Sequence, residues 1–233
     1  VPFNDLAAIT QAIRPETVAI LLEAVQGEGG IQIAAPEYLE GVAQLCRERN
    51  ILLMFDEVQA GMGRTGKLFA FQHYNARPDV VTVAKGLGAG FPIGMMLARR
   101  EVAAAFEPGN HASTFGGGEF VTGVALTFVR LLMKEGLLEH VVKMGDLLLA
   151  RLKALKDRYP ALIADARGLG LMAGLQFADA IPAADVSAKL RENGLLTAMA
   201  GGNVVRFVPP LILQPADIDE AAAILDKTIR AFA

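Results

Sequence analysis

Two residues of opposite charge follow apolar runs that are typical of buried strands. Asp56 follows the run at 51–55, and Lys85 follows the run at 80–84 and precedes the glycine-rich stretch at 86–90. A lysine amine buried without a partner is costly unless it loses its proton. Two interpretations therefore stay open. Lys85 forms an internal ion pair with Asp56, or it is a reactive amine that forms a Schiff base with a carbonyl group.

The same two residue types are what a pyridoxal phosphate enzyme requires. Such an enzyme needs an amine for the cofactor aldehyde and an acid that keeps the pyridine nitrogen protonated. Because the carboxyl ends of parallel strands meet at one edge of a sheet, Asp56 and Lys85 fit this pattern. Glu23 and Glu28 flank the exit of another predicted strand, and they add carboxylates to the candidate site.

A glycine motif at 61–67 offers a competing hypothesis. It reads GMGRTGK, which matches both GxGxxG and GxxxxGK. Leu68 follows the lysine where a phosphate-binding loop needs Ser or Thr for Mg²⁺, and five residues separate the motif from its strand. Nucleotide binding stays the weaker alternative, and a loop at the ligand-binding edge of the sheet is the simpler explanation.

Composition excludes several classes of function. The 233 residues carry 22 Lys and Arg against 25 Asp and Glu, a net charge of −3, which argues against nucleic-acid binding. No apolar run approaches the roughly 20 residues that span a bilayer. The single Cys46 and three scattered histidines predict no metal site. No leader pattern is present, so we expect a cytoplasmic protein.

The chain alternates between strand-like and helix-like segments. Apolar runs predict strands at 17–22, 51–55, 80–84 and 93–98, and apolar spacings of three and four predict a helix at 36–49. This order indicates an α/β domain with a mostly parallel sheet, ending at residue 139. Residues 140–233 are predicted to form a smaller α+β lobe. In the second half of the chain, helices are predicted at 120–133, 137–159, 185–192 and 215–232, and strands at 171–177 and 204–208.

Several motifs in a fixed order resemble the class III, acetylornithine-type aminotransferases. They are AVQGEGG (24–30), LLMFDEVQAGMGRTG (52–66), PDVVTVAKGLGAGFPIG (78–94), HASTFGGG (111–118), ARGLGLMAGL (166–175) and GGNVVRFVPPL (201–211). The resemblance implies the fold-type I architecture of pyridoxal phosphate-dependent transferases. It matches the C-terminal part of a longer family polypeptide. The N-terminal part of the site is therefore expected upstream of Val1 or on another chain.

The resemblance also implies roles for residues around the cofactor, pyridoxal 5′-phosphate. Lys85 is similar to the lysine that binds the cofactor and moves the proton, and Asp56 to the partner of the pyridine nitrogen. Val58 matches a residue that packs on the ring, and Gln59 one near its phenolic oxygen. Ser113 and Thr114 match a pair that reaches the cofactor phosphate across a homodimer interface, so shared active sites are expected.

Three further residues are implied to bind the substrate. Arg206 matches the arginine that binds the substrate α-carboxylate. Glu28 matches the glutamate that pairs with this arginine and swings aside, and Glu23 matches a supporting carboxylate. Without the resemblance, Arg206 in its alternating VVRFV strand could equally face solvent.

These roles imply transfer of an amino group from N-acetylornithine to 2-oxoglutarate, as in arginine biosynthesis. The same chemistry on ornithine, succinylornithine or 4-aminobutyrate is an alternative. So is a non-catalytic remnant that only folds or dimerises.

Overall fold

A computed structural model describes residues 1–134 and 136–232. Its strands are β1 (Ala19–Leu22), β2 (Val25–Gln26), β3 (Gln32–Ile33), β4 (Leu52–Asp56), β5 (Val80–Val83), β6 (Met95–Ala98), β7 (Ile163–Leu169), β8 (Met172–Phe177), β9 (Ala198–Ala200) and β10 (Val204–Phe207). Its α-helices are α1 (Leu6–Ala12), α2 (Pro36–Arg49), α3 (Arg100–Ala103), α4 (Glu119–Leu132), α5 (Leu137–Arg158), α6 (Ala183–Glu192) and α7 (Pro215–Ile229). Short 3₁₀ helices cover Ala70–His73, Lys85–Gly88 and Arg230–Phe232.

The chain divides into two compact units, each built from several segments. The first comprises Val1–Ala24, Ala34–Met62 and Lys67–Lys134, and the second comprises Val25–Ile33, Gly63–Gly66 and Glu135–Ala233. The second unit thus includes two short segments from the first half of the sequence. The domain boundary expected between residues 139 and 140 stays a prediction.

The first unit contains a four-stranded sheet in the order β1-β4-β5-β6. β1, β4 and β5 are parallel, in a register that places Leu22 beside Phe55 and Asp56 beside Thr82. β6 runs antiparallel to β5. A parallel return needs a long crossover, usually through an α-helix, whereas residues 84–94 hold only a 3₁₀ helix. The expected mostly parallel sheet is therefore confirmed, with one antiparallel edge strand.

Helix α2 covers this sheet and has the bounds that the sequence predicts. Pro36 occupies its first turn, where a missing N–H costs nothing, and Asn50 ends it in the left-handed conformation at φ 53°. Its apolar face is buried, including Leu39 and Val42 at 0% exposure. Beneath it, Leu53 and Phe55 of β4 are 2% and 0% exposed, so both sides of this contact belong to the core.

The second unit contains an antiparallel sheet in the order β7-β8-β10-β9. Residues from α5, α6 and α7 pack with it in one hydrophobic core that includes Leu152, Phe177 and Leu190. The helices and the strands β8 and β10 agree with the sequence to within a few residues. β7 is missed by the sequence reasoning because Asp165, Arg167 and Gly168 interrupt its apolar pattern.

None of the helices in the described ranges combines the length and the apolar content needed to cross a membrane. Across the same residues, no group of three or more His, Cys, Asp and Glu side chains is arranged to bind a metal ion.

Candidate active site

Three ionisable residues lie at one edge of the first unit's sheet. Glu23 follows β1, Asp56 ends β4, and Lys85 follows β5 after a single intervening residue. These strands are parallel neighbours, so all three side chains emerge at the carboxyl edge. A backbone hydrogen bond also joins the ends of β4 and β5, because the Glu57 N–H donates to Thr82 O at 2.9 Å.

Asp56 is half-buried, and a local turn orients its side chain. Asp56 Oδ1 accepts a hydrogen bond from the Val58 N–H at 2.9 Å, which is the geometry of an Asx turn. Within the described residues Oδ2 accepts no hydrogen bond. One oxygen therefore holds the rotamer and the other is available for a cationic donor. Val58 and Gln59, which follow in the same turn, are also half-buried.

Lys85 occupies an unusual backbone conformation at the start of a 3₁₀ helix. Its φ is +41°, in the left-handed region that costs a non-glycine residue about 1–3 kcal/mol. The expected burial of this lysine is wrong: its side chain is exposed, because β5 ends at Val83 and the backbone turns away from the strand. No ion pair joins Lys85 to Asp56 in the part of the chain that the structure describes. The internal-pair interpretation is therefore not supported.

Glu57, the residue after Asp56, is a buried acid that the sequence reasoning missed. It is 1% exposed, and its two carboxylate oxygens accept hydrogen bonds from the Ala70 and Phe71 N–H groups, both at 2.8 Å. Burial is the main cause that raises the pKa of Glu57 to about 7; the charges of Asp56 and Glu23 also raise it, while the two N–H donors lower it. The only sequence signal was its place directly after a strand-ending aspartate.

The glycine motif forms a tightly packed turn. A Cβ on Gly61 would lie 2.6 Å from Glu57 O, and Gly63 and Gly66 have φ values of +84° and +86°. Turns and bends continue from this motif to the 3₁₀ helix Ala70–His73, so no helix begins at Lys67 in the described chain. The phosphate-binding-loop alternative therefore lacks the helix N-terminus that its mechanism needs.

Arg206 and Glu28 meet in the second unit. Arg206 Nη1 donates to Glu28 Oε1 at 2.8 Å and to Gly27 O at 2.9 Å. The arginine side chain is 11% exposed and the glutamate side chain 69% exposed. Arg206 also lines a mostly apolar cavity of about 440 Å³ in the same unit. The outward-facing alternative for Arg206 is wrong, since strand β10 turns this side chain toward the loop that carries Glu28.

Ser113 and Thr114 lie on an exposed stretch of the first unit. Ser113 Oγ accepts a hydrogen bond from the Gly116 N–H at 3.2 Å, which closes a local turn. Nothing else in the geometry tests their expected contact with a cofactor phosphate. The roles of Ser113, Thr114, Val58, Gln59 and Glu23 therefore stay predictions.

Comparison with known proteins identifies the family to which this chain belongs. Residues 2–229 match the family model described as aminotransferase class-III. Acetylornithine aminotransferase 1 of Bradyrhizobium diazoefficiens is 45% identical over 231 residues, which are 99% of this chain and 56% of that protein. Acetylornithine aminotransferase of Caldanaerobacter subterraneus is 44% identical over 229 residues, 98% of this chain and 58% of the relative. The chain therefore spans a little over half the length of these curated relatives.

Solved structures of aminotransferases also match this chain. An ornithine aminotransferase from Plasmodium yoelii superposes with a TM-score of 0.94 at 35% identity, over 100% of this chain and 62% of that one. The N-acetylornithine aminotransferase from Stenotrophomonas maltophilia gives a TM-score of 0.89, also at 35% identity, over 100% of this chain and 62% of that one. The expected fold-type I architecture is thereby confirmed.

Proposed function

Because this chain belongs to the class-III aminotransferases, we propose that it is the portion of a pyridoxal phosphate-dependent ω-aminotransferase that carries the amine, the ring-nitrogen partner and a carboxylate-binding arginine. The observation that carries the proposal is the placement of Lys85 and Asp56 after neighbouring parallel strands, at the edge of the sheet where such folds bind ligands.

The donor set at this edge fits the cofactor. When bound, pyridoxal phosphate supplies an aldehyde for the substrate amine and a ring that withdraws electrons from the reacting carbon. Lys85 presents an exposed primary amine, which can attach the aldehyde reversibly and carry a proton to and from the substrate carbon. Asp56 Oδ2 can accept the hydrogen bond of a protonated ring nitrogen, while Oδ1 stays bound to the Val58 N–H.

The supporting residues follow from the family. Val58 would contact the ring face, Gln59 the phenolic oxygen, and Ser113 and Thr114 the cofactor phosphate across a homodimer interface. Glu23 would add a carboxylate close to Asp56. A second copy of the chain would share each active site, and a chain that carries the N-terminal part would supply the rest of it.

Arg206 and Glu28 explain how one enzyme could accept two kinds of substrate. A guanidinium binds a carboxylate through two N–H donors, and Glu28 already occupies Nη1 of Arg206. A substrate carboxylate must therefore displace the glutamate, whose 69% exposed side chain has room to swing into solvent. A donor with a distal amine would instead react while the Glu28–Arg206 pair stays closed.

The amino donor we propose is N-acetylornithine, with 2-oxoglutarate as the acceptor, in a cytoplasmic route to arginine. This choice is supported by relatives named acetylornithine aminotransferase, which match nearly the whole chain in sequence. Ornithine aminotransferases also match the whole chain in structure. Ornithine, succinylornithine and 4-aminobutyrate remain the alternative donors. The alternative to an enzyme is a non-catalytic remnant that only folds or dimerises.

A donor panel tests the proposal. The complete enzyme, including the N-terminal part of the site, is given pyridoxal phosphate, 2-oxoglutarate and each of the four candidate donors, and glutamate formation is measured. We expect the highest kcat/KM with N-acetylornithine and none with Lys85→Ala, while the exposed control Lys67→Ala keeps its rate. ATP binding that disappears in Lys67→Ala would instead support the nucleotide-binding alternative. No glutamate from any donor would favour the remnant.

A further inference from the structure

The loop that carries Glu28, residues 27–31, is held by a second arginine. Arg167 Nε donates to Gly30 O at 3.0 Å and to Ile31 O at 3.1 Å, and its Nη2 donates to Gly30 O at 2.5 Å. All of these groups belong to the second unit. Arg167 therefore binds the end of the Glu28 loop through two backbone carbonyls. These hydrogen bonds do not involve the loop's side chains.

The other end of the Glu28 loop is held as well. Gly27 O accepts a hydrogen bond from Arg206 at 2.9 Å, and Glu28 O accepts one from the Gly201 N–H at 2.7 Å. The backbone is thus fixed on both sides of Glu28. By contrast, the Glu28 side chain is 69% exposed and extends from a fixed backbone toward Arg206.

Arg167 is itself rigidly placed. Its Nη1 donates to Asp165 Oδ2 and to Gln176 Oε1, both at 2.8 Å, and its side chain is only 16% exposed. Asp165 shares strand β7 with Arg167, and Gln176 lies on the adjacent strand β8. A planar guanidinium fixed by two groups of the sheet has its remaining N–H donors aimed in one direction.

The Glu28 loop needs such an anchor because its backbone is strained. Ile31 is fully buried, yet it has a φ of +54°, which is rare for a β-branched residue. Gly30 has a φ of +96°, and a Cβ there would lie 2.4 Å from Gly201 O. A conformation of this kind persists only where the surrounding contacts determine it.

We propose that Arg167 is a positioning residue for the carboxylate-binding site: it fixes the backbone of the Glu28 loop, so that opening and closing of the Glu28–Arg206 pair is a side-chain motion alone. This inference rests on the proposed function. Without Arg167 the loop relaxes and Glu28 no longer returns to Arg206 reliably. Arg206 then stays open to carboxylates in both half-reactions.

The functional consequence is asymmetric. The half-reaction of the ω-amino donor requires the closed pair, whereas the half-reaction of 2-oxoglutarate requires the open arginine. Replacing Arg167 by Met keeps the apolar stem and removes every donor. We expect kcat/KM for the donor to fall about ten-fold and that for 2-oxoglutarate to change less than about three-fold.

The test combines kinetics with amide hydrogen exchange on the protein with and without cofactor. In Arg167→Met, peptides covering residues 27–31 and 198–203 should exchange faster than in the wild type, since the Gly201 N–H loses a fixed acceptor. Arg167→Lys, which keeps one charged donor, should recover part of both effects, and it replaces Arg167→Met if that variant does not fold. Arg151→Met is the matched control, because Arg151 is an exposed arginine of the same unit, paired with Asp219 at 2.8 Å.

Unchanged exchange in residues 27–31 would overturn the anchoring role. An equal fall in both half-reactions would reduce Arg167 to a structural residue and would also overturn the proposal. A wild-type protein without aminotransferase activity would refute the proposed function. In that event the exchange measurement alone decides whether Arg167 fixes the Glu28 loop.

Discussion

Glu57 should make the stability of the protein depend on pH, in the opposite sense to a typical paired carboxylate. Its pKa in the folded protein is about 7, against an ordinary value of 4.5. Between these values the folded state holds a proton that the unfolded state releases. The stabilisation is therefore complete below the unfolded-state pKa and is lost as the pH rises through the folded-state pKa.

The size of this effect follows from the same two values. A difference of one pKa unit corresponds to about 1.4 kcal/mol, so the contribution of Glu57 should fall by about 2.5 kcal/mol between pH 5 and pH 8. Glu57→Gln removes the titration, although its amide NH₂ cannot accept from the second of the Ala70 and Phe71 N–H groups. That mismatch lowers stability by about 1–3 kcal/mol at every pH.

Urea unfolding measures the prediction directly. The free energy of unfolding is determined for the wild type and for Glu57→Gln at intervals from pH 5 to pH 8, and the difference is plotted against pH. The wild-type advantage should shrink by about 2.5 kcal/mol across this range. Glu40→Gln, which removes an exposed carboxylate from the same unit, is the control. A difference that is constant with pH would show that burial does not raise the pKa of Glu57.

Three further substitutions test the packing and the site. Asn203→Ala should lower the unfolding free energy by about 2–4 kcal/mol in urea titration, because its side chain bonds four backbone groups and its φ is +61°. Leu152→Ala, at a fully buried site, should cost about 2–5 kcal/mol by the same assay, whereas the half-exposed Leu126→Ala should cost little. Asp56→Asn keeps the acceptor for the Val58 N–H but cannot stabilise a ring cation, so glutamate formation should fall about 100-fold or more without loss of folding. An unchanged rate would remove Asp56 from that role.

The sequence predicts those parts of the molecule that local chemistry determines. Pro36 and the spacing of apolar residues define α2, and the apolar runs before Asp56 and Lys85 place both residues at strand ends. Strand β7 escapes the pattern because Arg167 and its neighbours serve hydrogen bonds instead of the core. The spacing of apolar residues identifies side chains that are buried in the hydrophobic core. It does not identify polar side chains, such as that of Arg167, that are buried because they donate hydrogen bonds.

The missing parts of the site depend on long-range contacts. Arg206 and Glu28 are separated by 178 positions in the sequence, so no local pattern indicates which way the arginine faces. The sequence does not single out Glu57, because its partners, the N–H groups of Ala70 and Phe71, lie 13 and 14 positions further along the chain, beyond a glycine motif with its own geometry. The exposure of Lys85 follows from a backbone turn at positive φ, which its residue type does not predict.

Covalent labelling shows whether Lys85 is the amine that binds the cofactor aldehyde. The protein is incubated with pyridoxal phosphate, reduced with borohydride and digested, and the modified peptides are identified by mass spectrometry beside Lys67→Ala and Lys85→Ala samples. We expect one stoichiometric phosphopyridoxyl group on the peptide that contains Lys85, and its loss only in Lys85→Ala. Modification spread over other exposed lysines, or none at Lys85, would contradict it.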